Sequence, residues 1–377
     1  LHDLKPAREK AFLLGIREER QGAREAEDSL DELDGLCRAM DVEPVGRLLA
    51  RLRSPLPRYL LGDGKAAEVA AAVDGSGADS LIVNHPLSPA QQRNWAELCG
   101  RQVYDRQELI IRIFASRART KEAVLQTELA SLEYSLPRLS HSRVGLSRQR
   151  GGRYGTKGSG EQRLELDRRD VRARIRRIKE ELEVIRKERG TMRKKRDRVP
   201  VPSCAIIGYT NAGKSSLLNA MTNADVPAED RLFATLDPTT RRLSLGQGGD
   251  FLLTDTVGFI RDLPHNLVEA FKATLEEALD ADFLLHAMDG TDPDLESRCQ
   301  ATRAVLTELG IEDKPVLSVF TKADLYPDEA RRAALAAARA DALFVSVKTR
   351  EGLDELAARL RAFGARLRGL EEPSIPR

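Results

Sequence analysis

The residues best able to do chemistry form one short run, Gly208-Tyr209-Thr210-Asn211-Ala212-Gly213-Lys214-Ser215. Its GxxxxGK[ST] pattern follows an apolar run at Ala205–Ile207 and precedes Ser216-Leu217-Leu218-Asn219-Ala220, so a strand enters the loop and a helix leaves it. Glycines at both ends let backbone N–H groups wrap a β-phosphate at the helix N-terminus, where the helix dipole favours an anion. Lys214 would neutralise β- and γ-phosphate oxygens, and the Ser215 hydroxyl would ligate Mg²⁺.

Downstream motifs decide between adenine and guanine. Leu252-Leu253-Thr254-Asp255-Thr256-Val257-Gly258 is a strand ending in DxxG. Asp255 would hold Mg²⁺ through water, and the Gly258 N–H would meet the γ-phosphate. The apolar strand Val316–Phe320 leads into Thr321-Lys322-Ala323-Asp324. A carboxylate there accepts from guanine N1–H and N2–H₂, a donor pair that adenine lacks. Ser346-Val347-Lys348, after Leu343–Val345, is a weaker element whose backbone would meet guanine O6. Four such motifs in order, each at a strand end, define a GTP-binding domain. Thr321 stands where asparagine is usual and Val347 where alanine is, so the expectation is modest affinity and easy exchange. Phe259 occupies the place of a water-orienting glutamine and cannot accept a hydrogen bond, which predicts slow intrinsic hydrolysis completed by a partner or an ion. Asn211 can aim its amide oxygen at a phosphate-bound K⁺, as similar asparagines do in potassium-stimulated GTPases; the alternative is that it serves only the loop's own hydrogen bonds.

These groups need a scaffold, and the patterning supplies one. Short apolar runs at Ala11–Ile16, Ser80–Val83 and Gln102–Tyr104 alternate with helical stretches at Ala23–Met40, Ala66–Val73 and Pro89–Cys99, which predicts a small parallel α/β domain over residues 1–115. Over 116–198 the pattern becomes two heptad stripes, Leu125, Leu129, Leu132, Leu136 and Val171, Ile175, Ile178, Leu182, Ile185. Pro137 should end the first helix, and the second should run from about Gly160 to Arg189. An antiparallel helical hairpin with a glycine-rich basic loop at 140–160 satisfies this. Val199-Pro200-Val201-Pro202 then links to a doubly wound GTPase domain over 199–377.

The net charge of +2 conceals a strong asymmetry. Ser116–Arg198 holds 25 Lys+Arg against 12 Asp+Glu, a local +13, so the remainder carries −11. A solvated helix face explains some of this charge, yet Arg143, Arg148, Arg150, Arg153 and Lys157 lie among glycines that would admit a phosphate backbone. No stretch approaches the roughly 20 apolar residues of a membrane span. Cys37, Cys99, Cys204 and Cys299 are widely separated, with no CxxC, as buried thiols of a reducing cytoplasm would be.

The chain resembles the HflX branch of translation-associated P-loop GTPases. The resemblance is carried by Leu87-Ser88-Pro89-Ala90-Gln91-Gln92-Arg93-Asn94, Ile113-Phe114-Ala115-Ser116-Arg117-Ala118-Arg119-Thr120, the GTKGSGE segment before Leu164-Glu165-Leu166-Asp167, the phosphate loop, Leu232-Phe233-Ala234-Thr235-Leu236-Asp237-Pro238-Thr239-Thr240, and DTVGFI. It implies that Phe233–Asp237 form the first switch against the nucleotide, with Thr235 a second Mg²⁺ ligand and, beside Lys214 and Gly258, part of the catalytic set. It also implies GTP and GDP as ligands, and the large ribosomal subunit and its rRNA as partners. The helical loop would reach the peptidyl-transferase region, in splitting or rescue of stalled ribosomes, with hydrolysis stimulated by the subunit. A cytoplasmic protein, monomeric off the ribosome, is expected. Two other readings stay open: a large-subunit assembly GTPase, and an ATP-driven RNA remodeller in which the GTPase only regulates. No second phosphate loop precedes residue 200. The tip, Gly151-Gly152-Arg153-Tyr154-Gly155, is one residue longer than the family's usual spacing.

Overall fold

The computed structural model describes residues 8–139, 157–196, 201–222, 232–245, 250–261, 277–326, 328–339 and 343–367. Packing divides the chain into two compact units, Leu1–Ser116 with Val124–Val184, and Arg117–Ala123 with Ile185–Arg377.

The first unit is built on a four-stranded parallel sheet in the order β2-β1-β3-β4, with β1 at Lys10–Arg17, β2 at Glu43–Arg51, β3 at Ser80–Asn84 and β4 at Gln102–Asp105. The run from Ala11 to Leu14 is buried on both faces, as an inner parallel strand must be. Connecting helices are α1 (Ala23–Ala39), α2 (Asp63–Gly75), α3 (Pro89–Cys99) and α4 (Arg106–Arg117). Ser88 starts α3 in a capping box with Gln91, each side chain meeting the other's backbone N–H. Trp95 seats the same helix: its ring is fully buried, and its indole N–H donates to the Tyr59 carbonyl at 2.9 Å.

Strand β2 has no counterpart among the expected elements. Pro44 and Gly46 interrupt its hydrophobic run, and its position at the sheet edge tolerates both.

Helices α5 (Lys121–Ser135) and α6 (Lys157–Arg196) carry the two stripes, with Leu125, Leu129, Ile175 and Ile178 buried. Ion pairs tie them together, Arg174 to Glu128 at 2.7 Å and Lys179 to Glu133 at 2.8 Å. The expected narrow seam on α5 is in fact broad, for Gln126, Thr127, Ala130 and Tyr134 are buried too. The reason lies just beyond its end. The Arg138 guanidinium stacks 3.4 Å from the Tyr134 ring centroid and donates to Gln92 Oε1 and the Leu87 carbonyl, each at 2.8 Å. Thus α5 packs on the parallel-sheet domain as well as on α6. Helix α6 begins at Lys157, so Gly160 lies inside it and not in a loop. The remainder of the glycine-rich segment, 140–156, lies outside the described residues.

The second unit holds a six-stranded sheet in the order β10-β9-β8-β5-β7-β6. These strands are β5 (Ser203–Ile207), β6 (Thr239–Ser244), β7 (Asp250–Asp255), β8 (Phe283–Asp289), β9 (Val316–Thr321) and β10 (Leu343–Phe344). All pairings are parallel except β6 with β7. Among the described helices of this unit are α7 (Lys214–Thr222), α8 (Leu295–Glu308), α9 (Glu329–Ala338) and α10 (Leu353–Leu367). Leu217, Leu253, Leu285, Val319 and Leu356 form one continuous core between them.

His286 sits inside β8, opposite Ile207 and Ser318. Burial, followed by the positive charges of Arg339, Arg303 and Lys214, pushes its imidazole down to about 3. The folded pKa is therefore depressed, and the unfolded chain takes up this proton first as the pH falls. His286's share of stability is complete above ~6.5 and lost toward 3, at about 1.4 kcal/mol per pH unit. His286→Gln should accordingly flatten the stability profile, with about 2 kcal/mol less loss between pH 7 and pH 5 than the parent. Urea midpoints at the two pH values read the difference; parallel profiles would show that the imidazole is not held neutral.

Candidate active site

Five loops at the carboxyl ends of the parallel strands bring together most of the residues singled out in the sequence, where open α/β sheets place their ligands. The loop after β5 turns at once into α7. Asn211 adopts a left-handed φ of 61° at its apex, a conformation that asparagine tolerates better than most residues. A cleft opens above it, lined by Thr210, Asn211, Gly213, Lys214, Ser215, Phe233, Ala234, Thr235, Thr256 and Gly258 among others. It lies at the start of α7, where a helix N-terminus favours an anion.

Lys214 is buried, and burial pushes its ammonium down to about 8, opposed by the Asp255 carboxylate. Its Nζ donates to the Tyr209 carbonyl at 2.8 Å, which aims the charge across the mouth of the loop. Gly258 lies against the same point: a Cβ built on it would stand 2.8 Å from Thr210 Cα and 2.9 Å from Lys214 Nζ. Only a bare α-carbon allows its peptide this close to the loop.

Ser215 Oγ lies 2.8 Å from Thr235 Oγ1 and donates to Asp255 Oδ2 at 2.6 Å. The other carboxylate oxygen, Asp255 Oδ1, is buried and has no hydrogen-bond partner among the described residues. Burial pushes this carboxyl up, and the Lys214 charge and the Ser215 and Thr235 hydroxyls oppose the shift. A buried oxygen left unpaired beside two hydroxyls is a hard, oxygen-only donor set. It suits Mg²⁺, which keeps several of its own waters.

The residues behind the cleft hold its walls. The Gly208 backbone abuts the Ala287 carbonyl of β8. Switch residues are zipped to the loop, with Thr210 N–H donating to the Phe259 carbonyl at 2.8 Å and Phe259 N–H to the Gly208 carbonyl at 3.1 Å. The Tyr209 hydroxyl accepts from Arg261 N–H at 2.8 Å. The Phe259 ring is 1% exposed and lines none of the cleft, so it packs and does not meet the substrate. Val257 and Leu236 are buried as core, and the Asp237 carboxylate is engaged by Arg119 and Thr120 instead of facing the cleft. The resemblance implies nucleotide contacts for Leu236 and Asp237 and the DxxG motif for Val257, yet none of the three lines the cleft. Nothing in the local sequence marks Thr120 as the partner of a residue 117 positions away.

The two elements expected to meet the base converge at the ends of β9 and β10. The Thr321 hydroxyl reaches the Ala212 carbonyl at 2.9 Å and the Met288 carbonyl at 3.1 Å, so threonine still ties this motif to the phosphate loop. One hydroxyl hydrogen serves one of them at a time. Lys322 pairs with Asp289 at 2.7 Å, and Ala323 N–H donates to the Val345 carbonyl. Asp324 Oδ1 accepts from Ser346 Oγ at 2.7 Å, which fixes the carboxylate's plane. Val347 packs on the core and Lys348 is exposed.

Family models match in succession: a GTP-binding GTPase N-terminal region at 27–115, a GTP-binding GTPase middle region at 117–196, and a 50S ribosome-binding GTPase domain at 203–322. The chain is 46% identical to the GTPase HflX of Akkermansia muciniphila over 86% of this chain and 76% of that protein. It is 44% identical to that of Caldanaerobacter subterraneus over 94% and 81%, and 46% identical to that of Escherichia coli over 80% and 70%. Among solved structures, SsGBP in complex with GDP aligns over 95% of this chain and 99% of its own, with a TM-score of 0.52 and 25% identity. The scaffold that carries the phosphate loop is matched by these proteins over most of this chain, and the chain belongs to the HflX family of GTPases.

Proposed function

We propose that this GTPase works on the large ribosomal subunit as a splitting or rescue factor, and that the subunit accelerates its GTP hydrolysis. The observation that carries the reading is the division of labour in the cleft. Oxygens of Ser215, Thr235 and Asp255 are assembled, while Phe259 is withdrawn and no glutamine stands in its place. A site that assembles its charge-handling groups but, among the described residues, places no side chain to orient water calls for help from outside. The 50S ribosome-binding GTPase domain and the +13 helical segment support a ribosomal source for that help.

In this reading Lys214 and the loop amides hold the β- and γ-phosphates, Gly258 N–H meets the γ-phosphate, and Asp324 selects guanine. Ser215 and Thr235 would hold Mg²⁺ directly and Asp255 through water; when bound, the ion neutralises charge on the phosphate oxygens. Asn211 would orient a K⁺ beside them.

GTP turnover with and without purified large subunits tests the proposal, with a rise of about 10²-fold or more expected, in the range by which partner proteins stimulate GTPases. Unchanged turnover would remove the ribosomal reading and leave the GTPase. Light scattering of intact ribosomes separates splitting, which lowers the signal, from an assembly role, which favours immature particles. Turnover in K⁺ should exceed that in Na⁺; equal rates would reduce Asn211 to a loop residue.

A further inference from the structure

We propose that Thr120 and Asp237 are positioning residues for GTP hydrolysis: together they clasp the first switch to the start of α5 and thereby hold Thr235 at the phosphate site. Asp237 Oδ1 accepts from the Thr120 hydroxyl at 2.6 Å. Its Oδ2 accepts from the backbone N–H groups of Arg119 at 3.1 Å and Thr120 at 3.3 Å. Thr120 Oγ1 in turn accepts from Ala123 N–H at 3.1 Å. One hydroxyl therefore caps α5 and donates to the switch carboxylate, so that Asp237 is joined in series to the positive end of a 15-residue helix.

An ordinary surface ion pair contributes little, because two long side chains must be ordered in water. This contact is of another kind. Asp237 is short, two of its donors are backbone N–H groups, and the third is a β-branched hydroxyl fixed by its own cap. Hydrogen bonds to an ionised carboxylate are shorter and stronger than neutral ones.

The clasp acts on the site because of where it sits along the chain. Thr235, beside Ser215, precedes Asp237 by two residues, and Thr239, registered opposite Asp255 at the start of β6, follows it by two. Two extended residues reach at most about 7 Å. Pinning Asp237 therefore shortens the tether that joins Thr235 to β6 from four residues to two and keeps Thr235 near the cleft. Phe233 completes the restraint, buried at 2% exposure with a left-handed φ of 57°. Fixing one backbone residue reduces its population roughly tenfold. A clasp that orders the switch beforehand returns part of that factor to the step in which Thr235 is needed. The inference needs only the GTPase activity and is independent of any ribosomal partner.

The test uses the full chain with Asp237→Ala, Thr120→Val, Thr120→Ser and the double variant D237A/T120V. Asp237→Ala leaves the Thr120 cap on Ala123 intact and so reads the clasp without unravelling α5; thermal midpoints with GDP bound monitor folding. Asp237→Ala and Thr120→Val should each lower kcat for GTP about tenfold, the size of one charge-assisted hydrogen bond. GDP affinity should stay within twofold, because GDP does not require Thr235. The double variant should be no slower than Asp237→Ala, since both changes cut one link, and Thr120→Ser should restore the parent rate. GDP affinity falling in step with kcat would overturn the proposal as a merely structural effect. So would losses that multiply in the double variant, or unchanged rates in the singles.

Discussion

Asp324→Asn is expected to lower affinity for GDP and GTP by about 10³-fold while xanthine nucleotides gain, the scale on which sites built for a specific hydrogen-bond pattern reject a mismatched partner. Ser346 occupies one side of Asp324 Oδ1 at 2.7 Å, so the carboxylate is oriented before any base arrives. A carboxylate offers acceptors to both N1–H and N2–H₂ of guanine. Asparagine offers one acceptor and one donor, so its N–H₂ meets the guanine N2–H₂ head-on. Xanthine carries a carbonyl at that carbon, and the same N–H₂ then finds an acceptor. Titration of fluorescent GDP and xanthosine diphosphate against parent and variant decides it. A variant that loses both nucleotides equally would point to collapse of the loop, and one that keeps GDP would remove Asp324 from the base site.

Gly208→Ala should damage binding and stability together. A Cβ at this position would stand 2.2 Å from the carbonyl oxygen of Ala287 and 3.2 Å from its carbon, and the backbone φ is +147°. The obstacle is the backbone of β8, inside the six-stranded sheet, and no rotamer change can relieve it. Either the phosphate loop lifts off the sheet or the strand shifts. We expect a loss of about 3 kcal/mol or more in stability, the cost of overpacking combined with backbone strain, and GDP affinity reduced at least about 100-fold. Gly64→Ala is the matched control. Nothing lies within 4 Å of a Cβ there, and the residue sits in α2, where alanine should stabilise by about 0.5–1 kcal/mol. Wild-type affinity for GDP in Gly208→Ala would contradict the close packing of loop on strand.

How much of this was legible in the chain depended on whether a feature is local. The phosphate loop, the DxxG strand and the Asp324 motif each fit within about ten residues, and each lies at a strand end as expected. Strand β1 and helix α3 were equally plain, one an unbroken apolar run and the other opened by Ser88-Pro89. Strand β2 was hidden because Pro44 and Gly46 imitate a turn, and only its edge position makes them harmless. The breadth of α5's buried face depends on Arg138 reaching Gln92 and Leu87, contacts that heptad counting cannot see. The clasp between Thr120 and Asp237 lay furthest from view. Threonine before a helix reads as a cap, and aspartate before proline reads as a turn; their meeting is purely a tertiary fact.

Three of the four thiols are buried, while Cys99, also expected to be buried, is only half-buried; their surroundings have a chemical consequence. Burial pushes Cys37 up to about 12 and Cys99 to about 11, and raises Cys204 and Cys299 as well. Oxidants and electrophiles attack the thiolate, and a thiol of pKa about 11 is ionised in roughly one molecule in ten thousand at pH 7. Packing that fills space therefore also keeps these sulfurs in the less reactive thiol form.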